Sequence, residues 1–299
     1  MIRIAILIAS LSMLLLCSRT LLASPGELLP IPDRLVVLTF DDGTKTDITY
    51  VAPVLKRYRF GATFYITDDL QGIRVPLTWD EIRKLNEEGF EIGNHTQNHP
   101  DLTTLSRERV INEIEGIERH AKEHGIPVPT TFVYPGFQDS VQVAEVLLQK
   151  GYLYARRGVT PEFPDRDNGA RGPVYDPAKH HPLLIPTTGY AGPQWHFKDL
   201  VWAVDQAKNS KIAVLTFHGV PYPGAPWVSV TPREFDRYMK YLHDRKCTVI
   251  ALRDLIKYVV PATVSTIPLQ REKGPFESGR TFRIDQTGKR LFWASSQWE

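Results

Sequence analysis

Residues 35–40, Leu-Val-Val-Leu-Thr-Phe, form an apolar, β-branched run that ends in Asp41-Asp42-Gly43. A run of this kind reads as a strand buried on both faces, and the glycine after it lets the chain turn sharply. Two carboxylates at the mouth of a buried strand are costly, because each needs a cation, a proton or a metal. Taken alone, the pair could simply cap the loop and helix that follow. Its meaning depends on what else the fold brings beside it.

The rest of the chain alternates strand with helix. Further strands are expected at 62–66, 90–93, 130–134, 152–155, 183–185, 211–217 and 247–251, and helices at 47–58, 79–88, 106–124, 140–150, 197–208, 232–244 and 252–260. Thr78 with Glu81, and Thr231 with Glu234, have the spacing of a capping box, and Pro232 occupies a first helical position. Alternation of this kind implies a parallel sheet with crossover helices. The expected fold is α/β, a distorted (β/α) barrel of about seven parallel strands over residues 25–260. Residues 261–299 form an extension in which 281–284 and 290–293 flank a turn, a short C-terminal β-hairpin. Active sites of such barrels lie at the C-terminal ends of the strands. Asp41-Asp42, His95, Tyr134-Pro135 and His218 each follow an expected strand.

At 299 residues the chain can bury a large single core. A net charge of +2 without any dense Lys/Arg run argues against a nucleic-acid partner. Residues 1–24 combine Arg3, an apolar run and small residues near the end, the pattern of an export signal rather than a membrane span. The expectation is an exported protein of the periplasm, cell envelope or medium, with no stable membrane span in the mature chain. Lipid attachment at Cys17 is the alternative, disfavoured by the bulk of Leu16. Beyond the signal only Cys247 remains, in an apolar stretch, so no disulfide framework exists and the cysteine reads as a core residue.

His95 and His99 stand four apart, a spacing that would present two imidazoles on one side of a helical turn. With one carboxylate they would make a two-histidine, one-acid metal site with positions left open for water and substrate.

The ordered segments Thr39-Phe40-Asp41-Asp42-Gly43, His95-Thr96-Gln97-Asn98-His99, Phe132-Val133-Tyr134-Pro135-Gly136 and Leu215-Thr216-Phe217-His218 resemble the motifs of the NodB-type polysaccharide deacetylases, carbohydrate esterase family four. The resemblance covers residues 33–260. It implies a hydrolase that removes N-acetyl, or O-acetyl, groups from an acetylated polysaccharide. By the same resemblance Asp41 is the general base, Asp42, His95 and His99 hold a divalent metal with a preference for zinc, and a backbone N–H near Tyr134 stabilises the oxyanion. His218, at the end of its strand, is placed to be the general acid. Two departures stand out. The arginine that many members carry in the third motif is absent from Thr130-Thr131-Phe132, with Arg156 or Arg157 as candidate substitutes. The aspartate–tryptophan motif that supports the acid is not recognisable either, although Asp165, Asp167 and Trp195 lie in that region.

Other readings compete. A catalytically degenerate, carbohydrate-binding relative would account for the missing arginine, but has no need of base, metal and acid together. His120-Ala121-Lys122-Glu123-His124 fits the H-x-x-E-H pattern of an inverted zinc protease. Its place in the last turn of a helix suits solvated histidines facing the helix dipole. Trp195 and Trp227, in Pro/Gly-rich loops, are candidates for stacking on sugar rings. Trp202 reads as core, and Asp199 and Asp205 as the solvated face of their helix.

Overall fold

The first strand, β1 (Leu35–Phe40), is buried along its whole length, as the unbroken apolar run demands. The computed structural model describes residues 28–70, 77–164 and 170–276, with the backbone of two further strands, 282–284 and 290–292. The expected export signal (1–24), Asp165 and Asp167 lie outside the described residues. β1 pairs in parallel with β7 (Ala213–Phe217) on one side. On the other side two strands share it: β8 (Thr248–Ile250) lies against Leu35–Val37, and β2 (Thr63–Ile66) against Thr39 and Phe40. Where β8 and β2 diverge, a Cβ on Gly61 would lie 2.8 Å from the Ala251 nitrogen, so the two backbones can approach only at glycine.

The sheet runs on from β2 through β3 (Glu91–Asn94) and β4 (Thr131–Val133) to β5 (Tyr154–Arg156), all parallel. At the opposite edge β6 (Gly189–Tyr190) pairs with β7. Residues 182–190 join the two edges. Ile185 exchanges hydrogen bonds with β5, donating to the Ala155 carbonyl at 2.9 Å and accepting from the Arg157 N–H at 2.8 Å, while the Thr188 N–H reaches the Val214 carbonyl of β7 at 2.8 Å. The expected strand at 183–185 is therefore a turn with a single bridge at Ile185, and the ladder forms later, at β6. Pro182 and Pro186 flank the expected strand and can donate no ladder hydrogen bond, which keeps it short.

Crossover helices α2 (Trp79–Glu87), α3 (Arg107–Glu123), α4 (Val141–Gln149), α5 (Phe197–Gln206) and α6 (Pro232–Asp244) fall where expected. Thr78 and Glu81 cap α2 reciprocally, and the Thr231 hydroxyl accepts the Glu234 N–H at the start of α6. Two helices differ from expectation. The first begins as a wide π turn over Asp47–Val51 before α1 (Ala52–Tyr58), around Pro53, which has no N–H to give to a regular α turn. The expected helix at 252–260 is a tighter 3-10 turn, Leu252–Lys257. Beyond the barrel, β9 (Phe282–Ile284) and β10 (Arg290–Phe292) pair antiparallel as the expected hairpin.

Strand parity divides the core. Val36, Leu38 and Phe40 face the helices, where Phe40 stacks on Phe64 and Phe217 at centroid distances of 5.1 and 5.4 Å. Leu35 and Val37 point the other way, into the barrel with Tyr65, Val133, Tyr154 and Val214. The interior is layered. At its lower end Glu91 accepts hydrogen bonds from the Thr63 and Thr131 hydroxyls (2.5 and 2.6 Å) and from the Arg253 N–H (2.8 Å). The Tyr65 ring lies above, packed so closely on Gly93 that a Cβ there would sit 2.3 Å from it. Glu91→Ala would strand three donors at once, two of them buried threonine hydroxyls. It is expected to lower stability by about 3 kcal/mol or more, read as a fall in the urea midpoint without a change in slope.

Candidate active site

Parity carries two opposite charges to the upper rim. Asp41 continues the inward series of Leu35, Val37 and Thr39, and Arg156 that of Tyr154. They meet: Arg156 Nη2 donates to both Asp41 oxygens, at 2.6 and 2.5 Å. Asp41 is 2% exposed and Arg156 fully buried. The Thr187 hydroxyl, 3.1 Å from Nη1, and the Phe137 ring, 5.4 Å from the guanidinium carbon, complete the arginine's surroundings. Of the two candidate substitutes for the absent arginine, Arg156 is therefore the one paired with Asp41. Arg157 turns to the Leu184 and Thr160 carbonyls and to Glu162, and organises its own loop.

Asp42 leaves this direction because its φ is +78°, and Gly43 follows at +71°. A left-handed aspartate costs on the order of 1 kcal/mol, so its surroundings must hold it. Asp47 does so, accepting both the N–H (2.8 Å) and the hydroxyl (3.0 Å) of Thr44. Burial pushes the Asp47 carboxyl well up, against the pull of the Thr44 hydrogen bonds, and the charges of Asp42 and Asp41 add to the rise. The sequence analysis places Asp47 only as the first residue of the helix expected at 47–58. Its only signal was the D-D-G-x-x-x-D spacing.

Asp42 Oδ1 lies 3.5 Å from His95 Nε2 and 3.9 Å from His99 Nε2. One ligand atom from each of the three falls within 4.8 Å of the others. The His95 ring donates through Nδ1 to the Val133 carbonyl at 3.1 Å, which orients the ring with Nε2 facing the group. The expected helical turn is absent. Residues 95–99 form a loop in which Thr96 and His99 have φ of +66° and +49°. Asn94 shapes it, its side-chain oxygen taking the Thr96 N–H (2.8 Å), and the Thr96 hydroxyl takes the His99 N–H (3.1 Å). Burial alone would raise the Asp42 carboxyl, but the His95 hydrogen bond and the charges of His218, His99 and His95 hold it well below the usual range. Burial, with His95 beside it, pushes His99 down to about 4. A carboxylate and two imidazoles are a donor set that fits a divalent ion taking nitrogen and oxygen ligands.

His218 brings its Nε2 to 4.0 Å from Asp41 Oδ2. Its Nδ1 has no hydrogen-bond partner among the described residues. The loop after it is tied to the Asp41-Asp42 loop through Thr46, whose hydroxyl accepts the Val220 N–H at 2.9 Å and lies 3.0 Å from the Thr44 hydroxyl.

Other expected residues lie elsewhere. The Tyr134 side chain is buried in the core with its hydroxyl on the Leu183 carbonyl (2.8 Å), and its N–H is spent on the Arg156 carbonyl (3.2 Å). Trp195 is core as well, 2% exposed and packed onto Gly189, so it offers no face to a sugar. Trp227 is half-buried in its loop. Trp202 is half-buried with Arg171 stacked on it at 4.8 Å. Asp199, expected on a solvated face, is buried and holds Arg171 (2.9 Å) and the His196 N–H (2.9 Å), whereas Asp205 is exposed. His120 pairs with Asp68 at 2.7 Å, and His124 stacks on Trp79. Among the described residues neither belongs to a three-ligand group.

Residues 30–155 match the family model described as polysaccharide deacetylase. The peptidoglycan-N-acetylmuramic acid deacetylase PdaA of Bacillus subtilis is 26% identical over 194 residues, 64% of this chain and 58% of that protein. The peptidoglycan-N-acetylglucosamine deacetylase PgdA of Listeria monocytogenes is 32% identical over 114 residues, 38% of this chain but 24% of its own length. The matched stretch thus spans less than two thirds of the length of these relatives. Among solved structures, the chitin deacetylase of the fungus Colletotrichum lindemuthianum superposes with a TM-score of 0.52 at 19% identity, over 76% of this chain and 89% of that one, which shows a shared fold. Titration calorimetry with zinc is expected to find one site per chain, weakened at least roughly 100-fold in His95→Ala and in Asp42→Ala but unchanged in His120→Ala.

Proposed function

We propose that this chain is a NodB-type polysaccharide deacetylase, an exported metal-dependent hydrolase that removes acetyl groups from an acetylated polysaccharide. The peptidoglycan named in both matched relatives makes that polymer the first to test. One observation carries the reading: an arginine-held carboxylate and an imidazole face each other at 4.0 Å beside a carboxylate and two imidazoles with metal-ligand geometry.

Each residue then has a task. Asp42, His95 and His99 would hold a divalent ion, zinc by preference, and that ion would supply Lewis acidity toward water and the acetyl carbonyl. Asp41 takes the proton of the attacking water. The Arg156 pair orients Asp41, and the carboxylate oxygens still have lone pairs free for that proton. His218 delivers a proton to the leaving nitrogen as the C–N bond breaks, so that the products are acetate and a free amine. An oxyanion needs a fixed donor. The Tyr134 N–H is already used and Pro135 has none, so this role falls to the N–H of Gly136, an exposed residue within the 3-10 turn Pro135–Phe137, at φ +60°.

Acetate release should be measured on peptidoglycan, chitin-type oligomers, poly-N-acetylglucosamine and acetylated xylan, for zinc-loaded, chelated and Asp41→Asn protein. Release from one polymer that stops on chelation, and falls on the order of 10³-fold in Asp41→Asn with zinc still bound, is the expected result. Bound zinc with no release from any glycan would instead favour a carbohydrate-binding relative.

A further inference from the structure

The loop 135–139 carries Gly136 and places the Phe137 ring on Arg156, yet its backbone is strained. Gly136 and Phe137 both have positive φ, +60° and +63°. A left-handed phenylalanine costs on the order of 1 kcal/mol or more and persists only where neighbouring contacts over-determine it. Short-range hydrogen bonds hold part of the turn, from the Phe137 N–H to the Tyr134 carbonyl (3.0 Å) and from the Asp139 N–H to the Phe137 carbonyl (3.1 Å). The long-range anchor is the Asp139 side chain. It is fully buried, and its Oδ2 accepts from Arg271 Nε at 3.0 Å. Its Oδ1 has no partner among the described residues.

Arg271 comes from the extension, outside the alternating strands and helices. That segment lies firmly against the barrel. Leu269 packs on the apolar cluster around Phe132 and Tyr152. The Phe276 N–H reaches the Pro161 carbonyl at 3.2 Å, and a Cβ on Gly274 would sit 2.1 Å from that same carbonyl oxygen, an approach only glycine permits. A continuous series of contacts therefore runs from Arg271 to Asp139, through the turn to Phe137, onto Arg156 and so to Asp41.

We propose that the extension completes the active site, and that Arg271 is a positioning residue which, through Asp139, holds the Gly136–Phe137 turn against the Arg156–Asp41 pair. The inference rests on the deacetylase reading for its effect on turnover, but not for its effect on the loop. Arg271 is 31% exposed but the Asp139 side chain is fully buried, so removing the arginine takes the charged donor from a carboxylate that cannot turn to water. Arg271→Ala should therefore release the turn, whereas Arg271→Lys should restore it in part. Asp139→Asn in the Arg271→Ala background should recover part of the loss, because no orphaned charge remains.

Two readouts test this on the full-length chain. Hydrogen exchange of the peptide spanning residues 134–140 should quicken about 10-fold or more in Arg271→Ala, while that of β3 stays unchanged. With zinc affinity unaltered, kcat for acetate release should fall roughly 10- to 100-fold at near-constant KM, with partial rescue in Arg271→Lys. Unchanged exchange overturns the proposal, and so does loss of zinc binding together with the melting transition, which would mark general unfolding. Should the wild-type chain release no acetate from any glycan, the deacetylase reading fails, and the exchange measurement alone still decides the role of Arg271.

Discussion

A carboxylate and a guanidinium, both withdrawn from water, close the top of this barrel. Arg156 ends β5 and Asp41 directly follows β1, strands separated in the sheet by three others, so their hydrogen bonds span the barrel rather than follow one ladder. Desolvating two charges is expensive, and loss of either partner from such a pair costs about 3–5 kcal/mol. The pair is therefore tolerable only where the strands hold both ends in register, and the rim above it inherits that precision. Beneath it the interior is filled in layers, Glu91 with its threonines at the lower end and Tyr65 between.

Adjacent residues serve opposite ends because the backbone turns between them. Asp41 keeps the inward parity of its strand, while Asp42, in a left-handed conformation, is swung toward His95 and His99. Thr44 and Asp47 hold that turn, and Thr46 couples it to the loop behind His218. A single short loop thus fixes the separation of the carboxylate paired with Arg156, the carboxylate facing the two histidines, and the imidazole opposite. Hydrogen bonds to backbone groups do this work, since their geometry leaves less freedom than side-chain packing would.

The same economy governs the other rim loops. Asn94 and Thr96 satisfy the backbone of the His95–His99 loop, and Asp139 anchors the Gly136–Phe137 turn to the extension. Each places unusual φ values beside the candidate site and holds them from outside it, the arrangement expected where local strain serves chemistry.

Much of this was legible in the amino-acid sequence. Apolar runs and capping boxes locate the strands and helices, and the rule that barrel sites gather at strand C-termini brings Asp41, Asp42, His95 and His218 to one rim. These are local properties, carried by a few consecutive residues. Partner choice is not local. Nothing in the periodicity distinguished Arg156 from Arg157, since only barrel closure decides which one points inward at Asp41, 115 positions away. Nor could it show that Pro182 and Pro186 would delay the closing strand to Gly189–Tyr190, or that Asp199 and Trp195 would be buried. The sequence by itself determined the order of the elements and the residues offered at the rim. Which charges neutralise one another is settled by tertiary contacts, because that depends on distances set by the curved sheet and the segment that joins its two edges.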